Sequence, residues 1–231
     1  MKYTTIPHTD IRVSKICLGT MTWGNQNTQN EGFEQMDYAL DAGVNFFDTA
    51  ELYPVPATAD TYADTERIMG DWYASRKNRD KVVLATKIAG PGAYTAHIRT
   101  TGFTPNSIRE ALEGSLMRLK TDYIDLYQLH WPERNANFFG KRDYFPDADE
   151  QWQDNFQQIL ETLNGFIQEG KIRHIGLSNE TPWGAMKYLA LAEHKSLPRM
   201  KTIQNPYSLL NRTFEVGNAE VAHREQLGLL A

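Results

Sequence analysis

The sequence predicts an α/β chain that makes up most of a (β/α)8 TIM barrel. Three observations carry this. Short β-rich runs alternate with longer helical patterns along nearly all of the 231 residues, giving about six complete βα units and the start of a seventh strand. Polar residues of chemical character fall just after several different strands, where barrel enzymes carry their sites. No Gly-x-Gly-x-x-Gly turn follows the first strand, as a dinucleotide-binding open sheet would need.

The elements follow in order. Tyr3–Ile6 and Ile11–Val13 flank Pro7-His8-Thr9-Asp10 and read as a β-hairpin that plugs the barrel floor. Arg12–Gly19 reads as the first strand. Gly32–Asp41 is a helix with Phe33, Met36 and Leu40 on one face and Gly43 as its stop. Val44–Phe47 is a strand and Tyr62–Arg76 a helix. Arg76-Lys77-Asn78-Arg79 reads as the solvated end of that helix. Lys81–Lys87 is the third strand. Thr104-Pro105 is an N-cap followed by proline at the first helical position, opening a helix with Ile108, Leu112, Leu116 and Leu119 at helical spacing. Tyr123–Leu129 is a strand, Trp152–Gln168 a helix and Ile172–Leu177 a strand. Thr181-Pro182 repeats the cap and opens a helix to about His194. Met200–Gln204 is a strand, Phe214–Arg224 a helix, and Leu227–Ala231 starts one more strand. Two long polar segments, 90–103 and 131–151, follow strands and fall on one face; loops of that length usually carry function. The whole is one domain, 1–231.

Composition narrows the classes. Hydrophobic residues are 41% and charged residues 23%, which excludes disorder. The net charge of −5, without a basic stripe, speaks against nucleic acid as a partner. The single Cys17 cannot form an internal disulfide and lies in an apolar run, so it reads as a small buried hydrophobe in a reducing compartment. The N-terminus has no apolar h-region, and no stretch is apolar for 18 residues; a cytoplasmic protein with no membrane contact is expected. Oligomeric state cannot be read from the sequence.

Four residues at strand ends converge in a barrel: Asp48, Tyr53, Lys87 and His130. A free tyrosine titrates near 10, too high for an efficient acid at neutral pH, and a neighbouring ammonium lowers that value. A carboxylate keeps the ammonium charged and placed, and an imidazole donates to a carbonyl oxygen. Taken singly, Asp48 could be a helix cap or turn former, Tyr53 a rim aromatic, and His130 reads more readily as a core histidine than as a catalyst; what points to chemistry is that all four share one face.

Asp48-Thr49-Ala50-x-x-Tyr53, Lys87, the run Leu119–Pro132, Gly170–Asn179 and Gln204-Asn205-Pro206-Tyr207 together resemble the signatures of the aldo-keto reductases, in order, spacing and strand placement. Glu51–Pro56 and Gln204–Arg212 make the chain most similar to the bacterial Tas-type branch of that family. Pro54 stands where many members have glycine, which alters the loop and not the phenol. The resemblance implies a reductase of aldehydes and ketones that uses NADP(H), with Tyr53 as general acid. Lys87, held by Asp48, would lower the Tyr53 pKa, and His130 would orient the carbonyl of a small-molecule substrate. It further implies that Ser178, Asn179 and Gln204 hold the nicotinamide carboxamide, that Gly19, Thr20, Met21 and Asp48 lie along the cofactor, and that Trp23, Tyr53 and Trp131 line the substrate pocket. From the residues alone, Ser178-Asn179 and Gln204-Asn205 are equally turn chemistry after strands.

A closed barrel takes about 250 residues. The sequence stops inside the seventh strand, so the expectation is a C-terminally truncated barrel with open edges that binds NADPH weakly or not at all. A truncated, catalytically inactive reductase-like or binding protein is the alternative. A barrel hydrolase with a metal on Asp48 and His130 lacks a His-x-His or comparable ligand cluster, and no metal is expected.

Overall fold

The computed structural model describes residues 1–231. In chain order the elements are β1 (Tyr3–Thr5), β2 (Arg12–Ser14), β3 (Cys17–Gly19), α1 (Gln29–Asp41), β4 (Phe46–Asp48), α2 (Asp64–Arg76), β5 (Val83–Ile88), α3 (Pro105–Leu119) and β6 (Ile124–Leu129). They continue with α4 (Phe156–Gln168), β7 (Ile172–Ser178), α5 (Pro182–Lys195), β8 (Met200–Gln204), α6 (Asn218–Arg224) and β9 (Gly228–Leu230). Strands β3 to β9 form one parallel sheet in sequence order, and β1 pairs antiparallel with β2. The predicted hairpin, the six βα units and the seventh strand are therefore present, as an incomplete TIM barrel.

The sheet is strongly curled. Four strand steps separate β4 from β8, which in a flat sheet would be about 19 Å. Yet Gln204 Nε2 donates to Asp48 Oδ2 at 3.0 Å. Strand alternation then sorts side chains inside and out. Phe46, Ala85 and Leu126 face inward at the floor and pack against Ile6, Ile11 and Val13 of the hairpin segment, with Cys17 half-buried beside them. Two residues further along each strand stand Asp48, Lys87 and Gln128. The outward set, including Phe47, Leu84, Tyr127, Leu129, Ile175 and Ile203, packs under the helices. Beside the β9 edge lies an open groove of about 600 Å3 lined by Tyr207, Phe214, Leu227 and Leu229.

Several boundaries differ from the sequence reading for local reasons. The run Arg12–Gly19 is two strands, because Ser14 Oγ donates to the Ile16 carbonyl at 2.6 Å and turns the chain from the hairpin into the sheet. Helix α1 starts at Gln29, where Thr28 and Glu31 form a reciprocal capping box. Residues 152–155 are not helical; Asp154 pairs with Lys187 and Asn155 donates to Glu133 instead. The last predicted helix is divided at Gly217, where a Cβ would press on Pro182. Arg79 is not solvated: it holds buried Asp125 at 2.8 Å and covers the Tyr123 ring at 4.1 Å. Arg76 does remain at the surface, paired with Asp37.

Helices α2 and α3 approach closely at Gly70, where a Cβ would meet the Arg118 carbonyl. Gly70→Ala must push them apart. We expect a loss of about 2 kcal/mol of stability in urea unfolding, since overpacking costs roughly 1–3 kcal/mol. An unchanged midpoint would show that the helices separate freely.

Candidate active site

The rim of the curled sheet is built by register. Gly19 lies opposite Asp48, and Asp48 opposite Ala85. One rung higher, Lys87 is opposite Gln128, and Gln128 opposite Gly176. Ser178 is opposite Gln204. Gly176 leaves room on this rung: a Cβ there would collide with Thr202 and press on Gln128. His130 follows β6 directly, and Tyr53 lies five residues past Asp48 in the loop after β4.

Lys87 is the centre of the group. Its side chain is 1% exposed, and its ammonium donates to Asp48 Oδ2 at 2.6 Å and to the Thr49 carbonyl at 2.8 Å. Burial works against its charge, but Asp48 and Tyr53 more than offset this, so Lys87 is held above its ordinary pKa. Asp48 Oδ1 also accepts from Gln128 Nε2 at 3.2 Å. The ammonium lies 5.2 Å from the centre of the Tyr53 ring, and the His130 ring meets Tyr53 edge-on at 5.7 Å. Burial raises the Tyr53 phenol, Lys87 pulls it down and Asp48 pushes it up; the balance is above the ordinary tyrosine value. The expectation of a lowered phenol thus meets a stronger opposing effect of burial, because Tyr53 is only 8% exposed. Burial, seconded by Lys87, pushes His130 well below its usual range, so its imidazole is neutral. Burial raises the Cys17 thiol, which stays protonated.

A second cluster adjoins the first. Asn179, in the left-handed region at φ 53°, donates through Nδ2 to the His130 carbonyl at 2.9 Å and to Ser178 Oγ at 3.1 Å. Gln204 joins the clusters through Asp48. Gln128 Oε1 is buried without a partner between them. A planar carboxamide offers both donors and acceptors, and Ser178, Asn179 and Gln204 present both on the rim. Gly19 adds open space and Met21 an exposed side chain beside it. These residues fit the carboxamide end of a nicotinamide.

Not every residue expected at the site is there. Trp23 is fully buried with Met36, Ile68 and Met69 between α1 and α2, and its indole donates to Gln35 at 2.9 Å. It offers no face to a substrate, because the chain after Met21 turns down under α1. Thr20 is also fully buried, its hydroxyl spent on the Asp48 carbonyl at 2.9 Å. Trp131 does stand over the site. It tilts against His130 at 4.8 Å and is covered by Tyr94, stacked at 5.5 Å, and by Phe139 edge-on at 5.5 Å. Gln128 was not anticipated; its signal was its place two residues before His130, on the inward side of a strand. No group of three or more His, Cys, Asp or Glu side chains is arranged to hold a metal ion. No helix is long and apolar enough to cross a membrane.

Comparison with known proteins agrees with this geometry. The sequence profile of the Aldo/keto reductase family matches residues 15–231. The chain is 46% identical to Protein tas of Escherichia coli, over 100% of this chain and 67% of that protein. It is 38% identical to the uncharacterized oxidoreductase YrpG of Bacillus subtilis, over 100% of this chain and 65% of that one. Norsolorinic acid reductase A of Aspergillus parasiticus is 30% identical, over 96% of this chain and 54% of its own length. The chain thus spans about two thirds of the first two relatives and about half of the third. It belongs to the Aldo/keto reductase family.

The neutral burial of His130 has a measurable sign. In the unfolded chain a histidine takes a proton near pH 6.5, while His130 in the fold resists until well below that. Unfolding therefore takes up a proton below pH 6.5, and stability falls as pH falls, by at most about 1.4 kcal/mol per unit from this group. His174, also pushed down by burial, acts in the same direction. We expect His130→Gln to show a shallower loss of stability between pH 6.5 and 5 than the wild-type chain; equal slopes would contradict the burial of a neutral imidazole.

Proposed function

We propose that this chain carries the active site of a carbonyl reductase that converts aldehydes or ketones to alcohols with NADPH. The observation that carries the proposal is the buried Lys87–Asp48 pair beside the Tyr53 phenol, with the His130 ring across from it. Membership of the family and relatives named as reductases and oxidoreductases support it. NADPH, rather than another nicotinamide, is carried over from the family resemblance.

In this reading Tyr53 holds its proton throughout the neutral range, because burial keeps its pKa above the ordinary tyrosine value. It delivers that proton to the carbonyl oxygen as the carbonyl carbon gains a hydride. When bound, the cofactor supplies that hydride, and the protein supplies position and the proton. The phenolate left behind is stabilised by Lys87, whose own charge Asp48 secures. The neutral His130 has one ring N–H to donate and holds the carbonyl oxygen near the phenol. Ser178, Asn179 and Gln204 grip the carboxamide, and Gln204 passes its orientation to Asp48 through a single hydrogen bond. Leu52, Ala89 and Trp131 pack around Tyr53 as a buried apolar cluster, with the half-buried Phe138 at its edge.

Tyr53→Phe removes the transferable proton and keeps the ring. We expect turnover of NADPH with a panel of aldehydes and ketones to fall by about 10²–10⁴-fold, the usual weight of a general acid. The affinity for NADPH, read by fluorescence titration, stays nearly unchanged. An unaltered turnover number would remove Tyr53 from the role.

A further inference from the structure

Two loops that follow different strands meet on one buried carboxylate. Glu51 is 1% exposed and lies two residues before Tyr53; its backbone N–H donates to the Lys87 carbonyl at 3.0 Å, yet its carboxylate makes no hydrogen bond to Tyr53, Lys87 or Asp48. Its Oε2 accepts from Arg99 Nη1 at 2.7 Å and from the Ala89 N–H at 3.0 Å. Its Oε1 accepts from Arg99 Nη2 and from the Tyr62 hydroxyl at 3.1 Å. Arg99 Nη1 reaches the Ala89 carbonyl at 3.2 Å, and the Tyr62 ring meets His97 edge-on at 6.2 Å. All four donors to the carboxylate therefore come from the top of β5 and from the loops after β4 and β5.

The segment so pinned is 90–103, whose only regular structure is a 3-10 turn at Ala93–Thr95. It carries Tyr94, which stacks on the Trp131 indole with the planes 26° apart. The Pro91 carbonyl accepts from Trp131 Nε1 at 3.1 Å. A Cβ on Gly90 would collide with the same indole, so the loop passes hard against Trp131. Trp131 in turn rests on His130. A continuous path runs from Glu51 through Arg99, the loop, Tyr94 and Trp131 to the rim of the site. A bidentate guanidinium on a buried carboxylate holds one geometry; a lone buried charge would not be tolerated.

We propose that Glu51 is a positioning residue: through Arg99 it fixes the loop 90–103 so that the exposed Tyr94, backed by the buried Trp131, forms one wall of the substrate pocket. It sets which carbonyl compounds fit and takes no part in proton transfer. Use of that wall by a carbonyl substrate rests on the proposed function; the fixing of the loop does not.

Hydrogen exchange followed by mass spectrometry on the 231-residue chain tests the clamp without cofactor or substrate. Glu51→Gln keeps the shape and removes the charge, and Arg99→Lys keeps the charge and removes the fork. In both variants we expect amides of residues 90–103 to exchange at least about tenfold faster, while β5 and β6 keep their protection. In turnover assays the same variants raise KM for the carbonyl compound and leave kcat and its pH profile unchanged. Tyr94→Ala reproduces the KM change without touching the clamp. Unchanged loop protection in both variants would overturn the proposal. So would an equal loss across the whole sheet, which marks a general stability role, or a shifted pH profile, which marks a role at Tyr53. A wild-type chain without turnover counts against the reductase reading alone, because exchange still decides the clamp.

Discussion

The ammonium of Lys87 lies wholly inside the curled sheet, and the rest of the site is arranged around keeping it charged there. Withdrawing a cation from water costs several kcal/mol even after relaxation, and only close, well-satisfied partners offset that. Asp48 provides the charge and Thr49 a carbonyl. Asp48 in turn accepts from Gln128 and Gln204, so strands β4, β5, β6 and β8 all contribute to one ion pair. Such a set can meet only if the sheet curls strongly, which ties the curl of the fold to the chemistry of its rim.

The interior has two layers with opposite character. The floor is apolar and sealed by the hairpin segment, so nothing below Asp48 and Lys87 competes for their charges. The rim is polar and faces the loops. Those loops carry rings: Tyr94 and Phe139 cover Trp131, which packs in one apolar cluster with Tyr53. A dry, low-dielectric setting strengthens the pull of Lys87 on a phenolate, and the same dryness raises the phenol itself. In the proposed reduction the two effects are one trade: the proton is kept until a carbonyl oxygen is there to take it.

Much of this was legible in the sequence. Thr104-Pro105 and Thr181-Pro182 mark helix starts because the cap and the proline act locally, and both hold in the structure. Asp48, Lys87, His130, Ser178 and Gln204 were legible as strand-end residues, since period-two strands send the last inward residue to the rim. Gln128 was hidden because β6 is buried on both faces and its apolar run masks which side chains face in. Trp23 was misplaced because its nearness in sequence to the rim said nothing of the turn through Thr22–Asn27 that tucks it beneath α1. Glu51 and Arg99 are 48 residues apart, and no local pattern connects them.

Lys87, secured by Asp48, acts directly on the Tyr53 phenol. Titrating Tyr53 by NMR, with tyrosine labelled at the ζ carbon, in the wild-type chain and in Lys87→Met measures that coupling. Tyr53 is expected to ionise above the ordinary tyrosine range in the wild-type chain and at a distinctly higher pH once the ammonium is gone. A Tyr53 titration that stays in place or moves down in Lys87→Met would contradict it.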